Sequence, residues 1–469
     1  MGLIAGVDTS TQSTKVEIRD AASGEVVGSG SAPHPVVTPP VTEQDPLSWW
    51  AAFQTAWEQA GVPDIDAISV GGQQHGMVAV DADGNAVHPG KLWNDMESAD
   101  DAAELVARLG DGETGAGARN WADAVGSVPV GAFTITKLAW LRRTRPDAWA
   151  ALDRVMLPHD WLTSRLTGNF TTDRGDASGT GYWSPATGTY RHDLLALVDA
   201  DRDWTGRLPM VLGPMDRAGE WNGAVVAPGS GDNMAGALGI GLRAGDVAIS
   251  IGTSGTVYAV TKRPTADPTG IVAGFADATG HFLPLVCTSN AAKVLDAVRN
   301  LIGADHAEFD SLALSVEAEA PVLLPYFDGE RTPNRPDATG TITGLRTDIT
   351  RDAMARAAVD GVVCGLLDGL DAVRDLAAVD GRIVLTGGGA RSEAIRRVLA
   401  GLVDLPVIVS EVPEAVATGA AVQAAAVAEQ VEHEVIQQRW GLGGGATIEP
   451  APVPPGVRER YADLRGRMA

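Results

Sequence analysis

The sequence predicts an α/β protein of two similar domains, each built around a hairpin with a polar turn. Residues 3–19 form an apolar strand, a turn of Asp8 and short hydroxyl or amide residues, and a returning strand of alternating apolar and polar residues. Residues 247–260 repeat this pattern. Residues 65–76 and 381–392 add a second pair, because both are apolar strands that run into glycines. Two matched pairs in the same order predict two related domains that hold a nucleotide in the cleft between them.

The first turn has the chemistry of a phosphate site. The short side chains of Thr9, Thr11 and their neighbours let phosphate oxygens approach the backbone amides, their hydroxyls add donors, and Lys15 adds positive charge. Asp8 is placed to hold the magnesium ion that accompanies a nucleotide. Such turns are also ordinary hairpin chemistry, and it is their ordered repetition that favours nucleotide binding.

Composition excludes several classes of protein. The 469 residues include 60 acidic and 36 basic side chains, a formal net charge of -24, which disfavours attraction to nucleic acid or to an anionic membrane. Cys287 and Cys364 are too few for a disulfide framework or a structural zinc site, and we expect both in the core. No segment has the length of an export signal or a membrane span, so a cytoplasmic protein is expected.

The loop after the strand at 65–70 predicts a site for a neutral, polyhydroxylated ligand. Gln74 and His75 lie between glycines, and uncharged polar side chains are what sugar hydroxyls require. A lone histidine is more often structural, but this setting favours function. Further along, Trp93, Asn94 and Asp95 offer an apolar ring beside an amide and a carboxylate, with a purely structural tryptophan as the equal alternative.

Residues 224–241 supply a candidate catalytic base. A short strand and a tight loop precede a helix that opens with Asp232 and Asn233. Aspartate at a helix start is commonly only an N-cap. Its position just before the domain boundary predicted at 241–245 favours the other interpretation, in which Asp232 accepts a proton from a substrate hydroxyl.

Glycines in the second half predict an adenosine site. Gly388 and Gly389 follow an apolar strand, and Ser392 precedes a new helix. The absence of side chains lets an adenine ring lie against the backbone, and a helix N-terminus attracts phosphate. Around this stretch, 350–377 is predicted to be a buried helix and 414–428 a closely packed one.

The polar loop at 171–183 has two open interpretations. Asp173, Arg174 and Asp176 are able to form a buried ion network that lines the cleft. A solvated surface loop has the same composition, and the pattern does not separate the two.

Taken jointly, these motifs resemble the FGGY family of carbohydrate kinases over essentially the whole chain. The stretches that carry the resemblance are GVDTSTQSTK at 6–15, GGQQHG at 71–76, LWND at 92–95, GDN at 231–233, SIGTSGT at 250–256, DGERTP at 328–333 and GGGARS at 387–392. The resemblance implies two actin-like, ribonuclease H-like domains around an interdomain cleft. The sugar-binding domain would cover 1–241, the ATP-binding domain 242–430, and a C-terminal tail with a helix 431–469.

The resemblance also implies a role for each matched residue. Asp232 would be the catalytic base and Asp8 the magnesium-side carboxylate. The implied sugar contacts are Gln74, His75, Trp93, Asn94, Asp95 and Asn233. The implied ATP contacts are Thr9, Thr11, Lys15, Gly252 and Thr253 at the phosphates and Gly388, Gly389 and Ser392 at the adenosine.

The activity implied by the resemblance is transfer of phosphate from ATP, with Mg²⁺, to a sugar. Within the family, the sugar-side motifs resemble most the members that phosphorylate D-xylulose. A kinase for another ketose or polyol, such as ribulose, stays open, as does an actin-like ATPase that switches shape or assembles. The expected partners are the sugar and ATP, with neither nucleic acid nor a membrane, and a homodimer is an open alternative to a monomer.

Overall fold

The computed structural model describes residues 2–61, 64–316 and 318–468. The chain folds into two compact units. Unit 1 comprises Met1–Gly241, Lys262–Leu283 and Val412–Gly443, and unit 2 comprises Leu242–Thr261, Pro284–Glu411 and Gly444–Ala469.

The chain up to residue 241 alternates strands and helices. In order, these elements are β1 Leu3–Thr9, β2 Ser13–Asp20, β3 Val26–Pro33, β4 Glu43–Gln44, α1 Pro46–Gln59, β5 Ala67–Gly72, β6 Val78–Val80, β7 Gly90–Lys91, α2 Ala99–Leu109, α3 Thr114–Val125, α4 Thr134–Thr144, α5 Pro146–Ala151, β8 Arg154–Met156, α6 Pro158–Thr167, β9 Thr171–Asp173, α7 Arg174–Ala177, β10 Trp183–Ser184, β11 Thr189–Tyr190, α8 His192–Val198, β12 Met210–Leu212, β13 Gly219–Trp221, β14 Ala224–Val226, β15 Ser230–Gly231 and α9 Asp232–Gly239.

The rest of the chain continues the alternation. Its elements are β16 Val247–Ile251, β17 Gly255–Ala259, β18 Ala273–Ala276, β19 Phe282–Thr288, α10 Ala292–Ile302, α11 His306–Ser315, β20 Val322–Leu324, β21 Thr341–Thr343, α12 Arg351–Leu376, β22 Ile383–Thr386, a 3-10 helix Gly388–Arg391, α13 Glu393–Leu402, β23 Val407–Ser410, α14 Ala415–Glu429, α15 His433–Arg439, β24 Gly445–Thr447 and α16 Val457–Arg467.

The main sheet of unit 1 has the strand order β13-β14-β5-β1-β2-β3, with β15 also paired to β5. The predicted first hairpin is present, because β1 pairs antiparallel with β2, and β1 also pairs parallel with β5. The alternation in β2 predicted a half-buried strand, yet both of its faces are covered. Glu17 and Arg19 are buried on the polar face because they form an ion pair at 2.7 Å and so neutralise each other.

The sheet of unit 2 repeats this pairing. Its strands β19, β17, β16, β22, β23 and β24 lie side by side in that order. Strand β16 pairs antiparallel with β17 and parallel with β22, as β1 does with β2 and β5. The prediction of two related α/β domains from the paired motifs is therefore confirmed at the level of strand topology.

Helix α1 shows how local signals start an element that then supplies core. The Asp45 side chain is the N-cap and accepts a hydrogen bond from the amide of Leu47 at 3.0 Å, and Pro46 is the first helical residue. Trp49 and Phe53 are buried against the sheet of unit 1. Signals next to one another in the sequence thus start this helix, and its aromatic face supplies core.

Helix α14 packs at backbone distance within unit 1. A Cβ on Gly6 of β1 would lie 1.9 Å from the carbonyl oxygen of Ala417, and a Cβ on Gly419 would lie 1.7 Å from the carbonyl oxygen of Ala235 on α9. Only glycine fits such contacts. The predicted close packing of this helix is confirmed, and it joins a C-terminal segment to the N-terminal sheet.

The two cysteines, both predicted in the core, differ in burial. Cys364 is buried on α12 as predicted, but Cys287 is only partly buried, so its prediction as a core residue is wrong. The domain bounds 1–241, 242–430 and 431–469 stay a prediction, and the compact units assign 262–283 and 412–443 to unit 1. Among the described residues, no helix combines the length and apolar character that crossing a membrane requires.

Candidate active site

Three strand ends of unit 1 lie next to one another. In the parallel register of β1 and β5, Asp8 is opposite Gly71, and in that of β15 and β5, Gly231 is opposite Gly72. Because the residues that follow parallel strands leave the sheet at the same edge, the loop after β5 and the start of α9 meet there. The structure therefore brings together Asp8, the loop Gln73–His75 and Asp232.

Asp8 is a buried carboxylate with an unused ligand atom. Its Oδ1 is buried and has no hydrogen-bond partner in the described part of the chain. Burial, and secondly the charge of Asp232, raise the pKa of Asp8 to about 7. Carboxylate oxygens are the ligands that Mg²⁺ prefers, and a divalent cation would offset the repulsion between these two acids. Asp8 therefore fits the predicted magnesium-side role.

Asp232 is the first residue of α9, and Gly231 is the N-cap. Its Oδ1 accepts hydrogen bonds from the main-chain amide of Asn233 at 2.8 Å and from the Nδ2 of the same residue at 2.9 Å. Removal from water raises the pKa of Asp232 to about 6. The side chain is thus held by one oxygen, it does not occupy the cap position, and its basicity suits proton acceptance near neutral pH.

Asn233 links Asp232 to the loop Gln73–His75, the predicted sugar-binding loop, hereafter the sugar loop. Its Nδ2 also donates to Oε1 of Gln74 at 2.6 Å. The next residue, His75, has a positive φ of 64° and donates its main-chain amide to Oδ1 of Asp176 at 3.2 Å. The ring of His75 lies 5.0 Å from that of Phe133, measured between centroids. The structure therefore brings Gln74, His75 and Asn233 together with Asp232.

The hydroxyls of the first turn are bonded inside unit 1. Thr14 donates to Oγ1 of Thr9 at 3.3 Å and lies 2.8 Å from Nε2 of the buried His34. Lys15, predicted to bind phosphate, forms an ion pair with Glu414 at 2.6 Å. Burial disfavours the charged amine, but hydrogen bonding to Glu414 outweighs this and raises the pKa of Lys15. The lysine is charged, and Glu414 is its present counterion.

The segment 93–95 is divided between two networks. The indole Nε1 of Trp93 donates to Oγ1 of Thr11 at 3.1 Å, so this ring is anchored beside the first turn. Asn94 accepts from Thr42 at 2.9 Å. The side chain of Asp95 is fully buried and lies 3.0 Å from Nζ of Lys91. The structure thus places Asp95 in an internal ion pair, whereas Trp93 lies next to the turn.

One group of carboxylates has the spacing of a metal site but surrounds a lysine. Oxygens of Glu43, Asp95 and Glu97 lie within 4.8 Å of one another. Nζ of Lys91 is 2.9 Å from Glu43 and 2.7 Å from Glu97, and it lies 3.7 Å from the ring centroid of Trp140. The ammonium group therefore takes the place that a metal ion would need.

Sequence reasoning missed His159, which lies at the centre of a buried acidic cluster. Its Nε2 is 3.3 Å from Oδ1 of Asp160, 3.2 Å from Oδ1 of Asp173 and 3.5 Å from Oδ2 of Asp176. All four side chains are buried. A buried ion network at 171–183 is thus present and the surface-loop alternative is wrong, but the cation is His159, while Arg174 lies 3.6 Å from Asp277.

The cluster fixes the main chain of the sugar loop. Burial disfavours a charged ring, but the carboxylates, Asp160 foremost, outweigh it and raise the pKa of His159 to about 9. Burial raises the pKa of Asp160 to about 6 and that of Asp176 well above its usual range. Asp176 accepts the main-chain amide of His75, and protonated His159 lies beside Asp176. His159 therefore stabilises the sugar loop through Asp176.

In unit 2, glycines place the second turn against the 3-10 helix. A Cβ on Gly389 would lie 2.4 Å from Cγ2 of Ile251 at the end of β16. Gly252 and Thr253 follow in the tight connection to β17, and their carbonyls accept the first amides of the α10 segment. A Cβ on Gly388 would meet no atom of the described chain within 4 Å, so the backbone there is open to a ligand.

A cavity of about 610 Å³ adjoins these glycines. Its lining comes from α11, the 3-10 helix and α13, and includes Asp310, Arg391 and Arg396. Ser392, the N-cap of α13, donates to Oδ1 of Asp310, a residue of this lining, at 2.6 Å. The volume and the polar rim suit a nucleoside-sized ligand.

The two units and their sites define a carbohydrate kinase. Residues 3–240 match the N-terminal domain, and residues 247–428 the C-terminal domain, of the FGGY family of carbohydrate kinases. The chain belongs to this family, and the resemblance and the two-domain α/β fold predicted from the sequence are confirmed.

Among known relatives, the chain is similar to proteins called xylulose kinase. It is 46% identical to that of Streptomyces coelicolor over 460 residues, covering 95% of this chain and 92% of the relative. It is 45% identical to that of Streptomyces rubiginosus, with 95% and 92% covered. The crystal structure of xylulose kinase from Bifidobacterium adolescentis is 42% identical, with a TM-score of 0.88 and 99% of each chain covered.

Proposed function

We propose that this protein transfers the γ-phosphoryl group of ATP to D-xylulose and so forms ADP and D-xylulose 5-phosphate. The observation that carries the proposal is the Asp232 carboxylate, which lies beside the loop Gln73–His75 with a pKa raised to about 6. Membership of a carbohydrate kinase family supports ATP as the donor. The names of the similar proteins support D-xylulose as the acceptor.

In this proposal Asp232 is the general base. It takes the proton from the terminal hydroxyl while that oxygen forms a bond to the γ-phosphorus and the bond from phosphorus to the ADP oxygen breaks. A pKa of about 6 leaves Asp232 ionised at neutral pH and makes it a stronger base than an ordinary aspartate. Such a base contributes roughly 10²- to 10⁴-fold to the rate.

Asp8 would hold the magnesium ion that enters with ATP. Its buried and unpartnered oxygen supports this role. A magnesium ion supplies neutralisation of the phosphate charge.

Both polar turns would contact ATP. Lys15 exchanges Glu414 for a phosphate oxygen, which keeps its charge paired in both states. The other proposed phosphate contacts are Thr9, Thr11, Gly252 and Thr253. The proposed adenosine contacts are Gly388, Gly389 and Ser392, and the open backbone at Gly388 supports this placement.

The proposed sugar contacts centre on Gln74, His75 and Asn233. Asn233 donates hydrogen bonds to both Asp232 and Gln74, and His75 is the next residue after Gln74. Trp93 and Asn94 complete the lining. Asp95 stays a predicted sugar contact, and its ion pair with Lys91 holds this segment in place. The cytoplasmic location and the homodimer stay predictions.

A panel of sugars, assayed with ATP and magnesium by ADP release and by the phosphorylated product, tests the substrate. We expect D-xylulose to give the highest kcat/KM, because the similar proteins are called xylulose kinase. A higher kcat/KM with D-ribulose or with a polyol would contradict D-xylulose as the substrate. ADP release that no sugar stimulates would contradict a sugar kinase and favour an ATPase switch.

A further inference from the structure

The side-chain amide of Gln74 is held in a single orientation. The ionised carboxylate of Asp232 only accepts hydrogen bonds, so Asn233 must turn its NH₂ group towards it, at 2.9 Å. The same NH₂ group lies 2.6 Å from the amide of Gln74. Because only an oxygen accepts this bond, the Oε1 of Gln74 faces Asn233 and its NH₂ group faces away.

The NH₂ group of Gln74 is buried and has no hydrogen-bond partner among the residues that the structure describes. Gln74 is 4% exposed, and its Nε2 makes no hydrogen bond to any residue that the structure describes. A Cβ on Gly231 would lie 2.6 Å from Cγ of Gln74, so the side chain is packed directly against the turn before Asp232. A buried N–H without a partner destabilises a protein, and at this position it indicates a donor reserved for a ligand.

The neighbouring Gln73 is oriented by the same logic. The indole N–H of Trp93 only donates, and it lies 3.1 Å from Oγ1 of Thr11. Thr11 in turn donates to Oε1 of Gln73 at 3.3 Å. The Nε2 of Gln73 is again buried without a partner among the described residues. Both glutamines of the sugar loop therefore have an occupied oxygen and an unused NH₂ group.

We propose that Gln74, oriented by Asn233, selects a ketose over the corresponding sugar alcohol by donating a hydrogen bond to the ketose carbonyl oxygen. The inference rests on the proposed function, since it concerns the sugar that Asp232 deprotonates. A carbonyl oxygen only accepts and therefore satisfies the N–H donor. A hydroxyl oxygen in its place also accepts this bond, but its hydrogen then needs a separate acceptor, which the NH₂ group of Gln74 does not provide. Gln74 is the specificity-determining residue, and Asn233 is a positioning residue.

The test compares D-xylulose with xylitol and D-arabinitol, the two alcohols formed by reducing its carbonyl. The variant Gln74→Glu keeps the length of the side chain and an oxygen for Asn233, but it has no N–H to offer. We expect its kcat/KM for D-xylulose to fall by about 10- to 100-fold, and that for the alcohols to fall less. The ratio of ketose to alcohol kcat/KM should therefore decrease, by at most about 100-fold, with KM for ATP unchanged.

Two further variants separate donor loss from added charge. Gln74→Met removes the donor without a charge next to Asp232, and it should lower the same ratio. Gln59→Glu is the matched control, because Oε1 of the exposed Gln59 accepts the amide of Ser31, at 2.9 Å, and a carboxylate keeps that bond. It should leave both kcat/KM values at the wild-type level. Assays at about pH 8 keep Asp232 ionised, since its pKa is about 6.

An unchanged ratio in Gln74→Glu and Gln74→Met would overturn the inference, as would an equal loss on ketose and alcohol or a wild-type enzyme that does not prefer the ketose. If the wild type uses D-xylulose while the variants keep its preference, only the assignment of Gln74 fails. If the wild type phosphorylates no ketose, the proposed function itself fails.

Discussion

Asp232→Asn is expected to lower kcat by about 10²- to 10⁴-fold and to leave the affinity for the sugar close to wild type. Asparagine keeps the shape of the side chain and an oxygen that accepts the amide of Asn233, so the start of α9 should be preserved. It cannot take up the proton of the reacting hydroxyl. The measurement is kcat from steady-state kinetics, together with sugar binding by calorimetry.

The matched control for this variant is Asp45→Asn. Asp45 also accepts a main-chain amide at a helix start, that of Leu47 at 3.0 Å, but it is exposed and has no role in the proposed site. Its substitution should leave kcat at the wild-type level, because asparagine is an equally good N-cap. A kcat for Asp232→Asn within a few-fold of the wild type would rule out Asp232 as the base.

The pH dependence of kcat/KM for the sugar also tests Asp232 as the general base. Burial raises the pKa of Asp232 to about 6, so the carboxylate loses its ability to accept a proton as the pH falls below that value. The kcat/KM for the sugar should therefore decrease about tenfold per pH unit below about pH 6 and level off above it. In Asp232→Asn this acidic limb should disappear from the residual activity, and its persistence would assign the limb to another group.

His159→Gln is expected to lower the free energy of unfolding by about 3 to 5 kcal/mol, because it removes the cation from between three buried carboxylates. It should also raise KM for the sugar, since Asp176 holds the amide of His75. Urea or thermal unfolding at neutral pH measures the first effect, and steady-state kinetics measures the second.

The pH dependence of the loss of stability in His159→Gln identifies the cause of that loss. The pKa of His159 is raised from 6.5 to about 9, so the stability from its charge is fully present below pH 6.5 and is lost as the pH rises through 9. The difference between wild type and His159→Gln should therefore shrink between about pH 7 and pH 9.5. His433→Gln is the control: burial lowers the pKa of His433, so this buried ring is neutral throughout that range. A deficit in His159→Gln that is independent of pH would mean that lost packing, and not lost charge, is responsible.

The architecture of each unit could be predicted from local sequence because its signals are local. An apolar strand, a turn of small polar residues and an alternating strand specify β1 and β2 without reference to the rest of the chain. Asp45 and Pro46 likewise indicate the start of α1. The coverage of the polar face of β2 was not predictable, because Arg19 also donates to Thr418 on α14, 399 residues away in the sequence.

The candidate site was predicted in its residue types but not in its connections. Asp232 and His75 stood out beside glycines, whereas His159 lies inside a helical stretch that carries no such signal. Its carboxylate partners Asp173 and Asp176 come from a later turn, and only folding places them around the ring. The ion pair of Asp95 with Lys91 is likewise a contact that the sequence beside Trp93 did not predict.

The sequence by itself determined the two hairpins, the glycine-ending strands and the family, because these depend on residues that are close together in the chain. Only the tertiary structure decided which polar side chains are already satisfied and which remain available to a ligand. Lys15 with Glu414 and Asn233 with Gln74 are pairs of the first kind, and Nε2 of Gln74 is an example of the second. The physical reason is that a hydrogen bond or ion pair depends on distance in space, and no local pattern encodes it.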